Sequence, residues 1–147
     1  EAPPAILSEV LLKQQLVLIA PKEALNSNDD TISFDDLIQH ELPIIGLDSR
    51  DPLGLLLHQT LSARNEHYHH GITVRSYAAA AELVKHHSGF AIVDPWTAKQ
   101  YQNDTSVSVR SLSPVLSFSI SILFAEHTPQ SISTKLFIDS LKQHVNQ

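Results

Sequence analysis

The sequence predicts an α/β fold. Short apolar runs alternate along it with segments of helical periodicity, and three of those runs are followed closely by a helix-capping residue. Hydrophobic residues make up 42% of the chain and charged residues 18%, a balance that supports a packed core. Its 147 residues suffice for one ordinary domain or two small lobes.

Residues 11–20 (LLKQQLVLIA) read as a strand stopped by Pro21. The polar stretch 26–30 is the candidate exposed loop between lobes. Residues 33–39 read as a short helix, with Ser33 and Asp36 at capping-box spacing. Residues 42–47 (LPIIGL) are a buried strand, and the helix from Asp51 carries Leu53, Leu56, Leu57, Thr60 and Leu61 on one face. Gly71 opens a strand over 72–75, which leads into an alanine-rich helix from Ser76 to about His87. Gly89 is expected to end that helix as its C-terminal glycine. Residues 90–93 are a short, wholly apolar strand, and 95–102 are helical. Residues 106–110 and 117–125 alternate serine with Val, Phe or Ile, so each strand has one wet and one dry face. Thr128-Pro129 starts the last helix, with Ile132, Leu136, Phe137, Leu141 and Val145 pointing inward. No internal repeat or low-complexity segment interrupts this order.

Several functions are excluded by what the chain lacks. The net charge is −6, from ten Lys plus Arg against sixteen Asp plus Glu, so a phosphate backbone would be repelled by most of the surface. There is no cysteine, which rules out disulfides and thiolate metal sites. No apolar run approaches the roughly 20 residues of a membrane span, and the opening Glu1-Ala-Pro-Pro4 is no signal peptide. Methionine is absent even from position 1, so the chain is expected to be cut from something longer. A G-x-S-x-G elbow, a Walker loop and a G-x-G-x-x-G are all missing among only four glycines, and catalysis has no sequence support. His67, His69, His70, His86 and His87 are locally dense, but adjacent histidines on a helix point to different sides. They read as solvated side chains in and near a loop, with no metal site expected.

The informative pattern is where helices begin. Asp51-Pro52 follows the strand at 42–47, Ser76 follows the strand at 72–75, and Asp94-Pro95 follows the strand at 90–93. Asp or Ser caps a helix, and proline suits the first helical position. If the strands are parallel, all three helix starts gather at the carboxyl edge of one sheet, the usual ligand crevice of an open α/β sheet. Free N–H groups there suit a carboxylate. Ser49, Arg50, Asp51, Asp94 and Thr97 flank it, the acids suiting an ammonium group, so a small zwitterion such as an amino acid fits. The simpler account, that each Asp or Ser only caps its own helix, stays open.

The order of these pieces resembles the effector-binding half of LysR-type transcription regulators. The family's crossover strand ending in Pro-Lys-Glu is matched by residues 12–23. Its "sl.dL...plI" stretch is matched by Ile32-Ser33-Phe34-Asp35-Asp36-Leu37 through Glu41-Leu42-Pro43-Ile44-Ile45. Its "v.s...al.lV..G.Giai.p" is matched by Val74-Arg75-Ser76-Tyr77 through Leu83-Val84 and Gly89-Phe90-Ala91-Ile92-Val93-Asp94-Pro95. Its closing strand and "...fid.l" helix are matched by residues 118–125 and Leu136-Phe137-Ile138-Asp139-Ser140-Leu141. The match covers nearly the whole chain, in order.

The resemblance implies a periplasmic-binding-protein-like fold of two lobes. Residues 1–20 would be a partial first lobe and crossover strand, 21–105 the second lobe, and 106–147 the return strands and C-terminal helix of the first. It implies no enzyme and no cofactor, but a cytoplasmic sensor that binds a small effector between lobes and associates with its own copies. DNA would be read only through a helix-turn-helix domain outside this chain. The stretches 48–54 and 91–98 look like the branch sensing basic amino acids, opines or diaminopimelate. In that branch Ser49, Arg50, Asp51, Gly54, Ser76 and Tyr77 face the effector, with Asp94 and Thr97 close by. The linker helix and roughly the first three strands of the first lobe, with the serine or threonine that holds the effector carboxylate, are expected to lie outside it too. Two rivals stand beside it: a periplasmic-type solute-binding protein for a small amino acid, which shares the two-lobed plan, and a small α/β enzyme of unrecognised type.

Overall fold

The computed structural model describes residues 5–25, 29–64 and 70–145. The elements run β1 (Ile6–Gln15), β2 (Val17–Pro21), β3 (Thr31–Ser33), α1 (Phe34–Gln39), β4 (Ile44–Leu47), α2 (Pro52–Arg64), β5 (Thr73–Val74), α3 (Tyr77–Lys85), β6 (Phe90–Val93), α4 (Pro95–Gln100), β7 (Val107–Ser113), β8 (Ser117–Ala125) and α5 (Ile132–Val145). They divide into two compact units, residues 15–117 and residues 1–14 with 118–147.

The larger unit holds a six-stranded sheet in the order β3-β7-β2-β6-β4-β5. β4 pairs parallel with β5 and β6, and β3 parallel with β7, while β2 runs antiparallel between β6 and β7. Side chains alternate across the sheet. Ile19, Ile45, Ala91 and Val93 meet Ala80, Ala81, Val84 and Ala98 of α3 and α4 on one side. The alternate residues Leu18, Ile44, Phe90 and Ile92 are equally buried, as are Phe34, Leu37, Leu57 and Leu61 of α1 and α2. Burial on both faces is why these strands read as continuous apolar runs.

Several expectations shift. The run 11–20 is two strands, not one. It divides at Leu16, whose N–H bonds the Leu116 carbonyl at 2.8 Å, and Pro21 is the last residue of β2. β2 pairs with β7 over five residues, so residues 15–20 and 106–117 belong to the larger unit and the boundaries expected at 20 and 105 move. Helix α3 stops before Gly89. His86 is its C-cap, His87 takes the left-handed backbone (φ 56°), and the His87 and Ser88 N–H groups return to Val84 and Leu83. That is a Schellman ending with histidine at its left-handed position. Gly89 serves a different need, since a Cβ there would lie 2.4 Å from the Pro43 carbonyl oxygen. Of the candidate loop 26–30, residues 26–28 lie outside the described residues, and Asp29 and Asp30 are exposed.

In the smaller unit β1 pairs with β8 as a two-stranded sheet, and the Glu126 N–H bonds the Ala5 carbonyl. Lys142 of α5 reaches Glu9 of β1 at 2.5 Å. The inward face expected of α5 is not buried: Ile132 is 80% exposed, Leu136 64% and Phe137 67%. Leu141 and Val145 are half-buried.

Candidate functional site

Parallel pairing carries β4, β5 and β6 to a common edge, with Leu47 opposite Val74 and Ile45 opposite Ala91. The first residues beyond these strands are Asp48, Arg75 and Asp94, and α2, α3 and α4 begin shortly after each. The three helix starts therefore share the carboxyl edge of the sheet.

The turn after β4 is stiff. The Asp48 N–H bonds the Val74 carbonyl at 3.1 Å, and the Asp48 carboxylate takes the Arg50 Nε, the Arg50 NH2 and the Arg50 backbone N–H. Arg75 stands 3.8 Å from the same carboxylate. The Arg50 side-chain bond, then its backbone bond, holds the Asp48 carboxyl far below the usual range, and the same bond raises Arg50. Arg50 is 76% exposed, so this pair shapes the turn and contributes little stability.

Asp51 caps α2. Its Oδ1 accepts from the Leu53 N–H at 2.9 Å and the Gly54 N–H at 3.1 Å, and also from the Tyr77 hydroxyl at 2.7 Å. Burial, then that hydrogen bond, then the charges of Asp51 and Asp94 push the Tyr77 hydroxyl well above its ordinary pKa. Gly54 is fixed by space, because a Cβ there would lie 2.4 Å from the Asp48 carbonyl oxygen. Ser76 caps α3 through the Ala79 N–H. Asp94 caps α4 twice over, accepting the Thr97 N–H at 2.9 Å on Oδ1 and the Thr97 hydroxyl at 2.6 Å on Oδ2.

Of the candidate residues, Asp51 and Tyr77 are in contact, Gly54 underlies them, and Asp94 with its Thr97 partner lies within electrostatic reach of Tyr77. Ser49 parts from them and lines a pocket of about 270 Å³ with Leu47, His58, His70 and Thr73. His70 was legible only as one of a run of histidines. Its Nδ1 donates to the Ile44 carbonyl at 2.9 Å, and the bare backbone of Gly46 makes room for its ring. Burial lowers the His70 pKa, opposed by that bond and reinforced by His58. Among the described residues no three His, Asp or Glu side chains gather to hold a metal ion, and His67 and His69 lie outside those residues. No helix of the described residues is long and apolar enough to cross a membrane.

Residues 1–146 match the LysR substrate binding domain. The chain is 30% identical over 140 residues to the HTH-type transcriptional regulator DgcR of a Pseudoalteromonas species, covering 95% of this chain and 47% of that protein. It thus spans about half the length of that curated relative. Its fold is similar to the Synechocystis PCC6803 CcmR regulatory domain solved in complex with 2-PG, with a TM-score of 0.81 at 14% identity, over 100% of this chain and 70% of that one. It is also similar to the effector binding domain of QuiR in complex with shikimate, with a TM-score of 0.72 at 22% identity, over 99% of this chain and 68% of that one. A mixed α/β sheet flanked by helices, read in this element order, and a match along nearly all of its length leave one assignment: the chain belongs to the LysR substrate binding domain family.

Proposed function

We propose that this chain is the effector-sensing part of a transcription regulator, and that its effector is a small amino-acid-like molecule bearing both a carboxylate and an amine. The observation that carries the reading is the shared edge of β4, β5 and β6, where three helix starts and a set of polar side chains converge in a substrate-binding family. The backbone amides of α2 and α3 favour an anion there, and the Ser76 hydroxyl, which accepts from Ala79, still has its proton to donate. Basic amino acids, opines and diaminopimelate are the effector class that this chemistry suits. The name of the Pseudoalteromonas relative, a helix-turn-helix regulator, supports a parent protein that reads DNA in the cytoplasm through a separate domain. The ligand complexes of the CcmR and QuiR domains support small-molecule sensing. No observation favours a transport receptor over this reading.

Calorimetry with Ser76→Ala and Thr97→Val variants tests it. Each lost hydrogen bond is expected to weaken effector binding by about 1 kcal/mol, roughly fivefold. Unchanged affinity in both variants would mean that these residues only cap helices. Ser76→Gly separates the two roles, because glycine nearly preserves the cap and still removes the hydroxyl.

A further inference from the structure

His70 meets a histidine that lies outside the dense run of the sequence. His58, at an exposed position of α2, brings its ring to 6.4 Å from that of His70, centroid to centroid, with the planes inclined at 41°. The two come together because α2 packs against β4 and β4 pairs with β5. They line the pocket of about 270 Å³ with Leu47, Ser49 and Thr73, and none of the helix caps Asp51, Ser76 and Asp94 lines it. His70 is the better held. Its Nδ1 donates to the Ile44 carbonyl at 2.9 Å, which sets the neutral ring with its lone pair on Nε2. A backbone carbonyl behind the ring is the usual support of a metal-ligating histidine, because it fixes tautomer and direction together. The ring is also seated on the bare backbone of Gly46, where an added Cβ would lie 2.4 Å from the His70 Cγ. Burial, with the neighbouring His58, lowers the His70 pKa and keeps the ring in the neutral form that ligates a metal.

We propose that His58 and His70 form a binding site for one divalent ion of the zinc, nickel or copper class. Water fills the positions that further side chains would take in a closed structural site. Two imidazoles on one tetrahedral ion, each nitrogen about 2.0–2.1 Å from it, place their ring centres about 5.2 Å apart. The observed 6.4 Å is longer by about 1 Å, which a small rotation of the exposed His58 side chain closes. The lining decides the class of ion. No carboxylate of the described residues lines the pocket, and neutral imidazoles suit zinc, nickel and copper, whereas magnesium and calcium need oxygen ligands. The Ser49 and Thr73 hydroxyls can hold the bound waters. The site stands apart from the effector reading and does not depend on it.

The test titrates Zn²⁺ alone into the 147-residue chain in a non-coordinating buffer, read by calorimetry and by the imidazole resonances in NMR. Because other histidines compete, the background carries His67→Gln, His69→Gln, His86→Gln and His87→Gln. One ion per chain is expected, with the His58 and His70 rings shifting together and excess Mg²⁺ failing to compete. His58→Ala and His70→Ala should each weaken binding about tenfold or more, since a ligand matters at least as much as the outer groups that orient it. Should His70→Ala not fold by circular dichroism, His58→Ala, at an exposed helix position, and the joint shift of the two rings still decide. A titration unchanged by His58→Ala, a shift of one ring without the other, or competition by Mg²⁺ would overturn the proposal. So would the absence of submillimolar binding of Zn²⁺, Ni²⁺ and Cu²⁺ alike.

Discussion

His87 occupies the left-handed region at φ 56°, where a Cβ meets the following carbonyl and costs roughly 1–2 kcal/mol, and it does so only because the α3 ending requires a left-handed residue there. His87→Gly is therefore expected to stabilise the chain by about 0.5–1 kcal/mol in denaturant titrations, after allowance for the extra freedom of glycine in the unfolded state. Gly89→Ala is expected to destabilise it, since the new Cβ would meet the Pro43 carbonyl at 2.4 Å. The sequence reading gave Gly89 the capping role because glycine is the usual left-handed residue, and the hydrogen bonds that assign it to His87 are not visible in composition. His70 supplies a pH dependence. Its pKa is lowered from 6.5 chiefly by burial, so the unfolded chain takes up the proton first. Its contribution to stability is complete above pH 6.5 and is lost as pH falls through the depressed folded value. The denaturation midpoint should drop on acidification from pH 7 to 5, and His70→Asn should flatten that drop. An unchanged slope in the variant would assign the dependence to other histidines.

At the scale of elements, what was legible in the sequence was what is local in it. Ser33, Ser76 and Asp94 each cap the helix expected of them, because a cap needs only its own side chain and an N–H three residues on. Ser76→Ala should accordingly cost about 1 kcal/mol in stability and Ser76→Gly only a few tenths, read by urea unfolding. Equal losses in the two variants would mean that the hydroxyl does more than cap. The strands at 44–47 and 90–93 were legible for a related reason, as apolar runs too short for helices. Long-range pairing was not. Nothing local tells that β2 leaves the run 11–20 to pair between β6 and β7, while β1 joins β8. The contact of Tyr77 with Asp51 spans 26 residues of sequence and depends on the register of β4 on β5, so both residues were candidates without their bond being foreseen.

At the scale of the whole molecule, the two units differ in how they cover their apolar groups. The larger unit holds the buried core from Leu16 to Leu116. The smaller unit leaves Ile6, Leu7, Val10, Ile120, Leu123, Ile132, Leu136 and Phe137 exposed, and α5 has no buried residue. At about 100 Å² of apolar surface for a large side chain, with 39% to 80% of each residue bare, these residues expose on the order of 500 Å². That total is comparable to the largest apolar patches of soluble monomers, which are often functional, and approaches the ~800 Å² per partner of a stable interface. The strand β8 (SFSISILFA) adds nine residues without a charge, proline or glycine, and such an edge lacks the features that discourage pairing with another chain. The 147-residue chain is therefore expected to self-associate, most simply as a two-fold dimer that covers these groups. Light scattering over a dilution series should show the dimer dissociating. A Leu136→Glu, Phe137→Glu variant, checked for retained secondary structure by circular dichroism, should raise the dissociation constant tenfold or more. A stable monomer at micromolar concentration that binds no dye for exposed apolar surface would show that the smaller unit needs no partner copy.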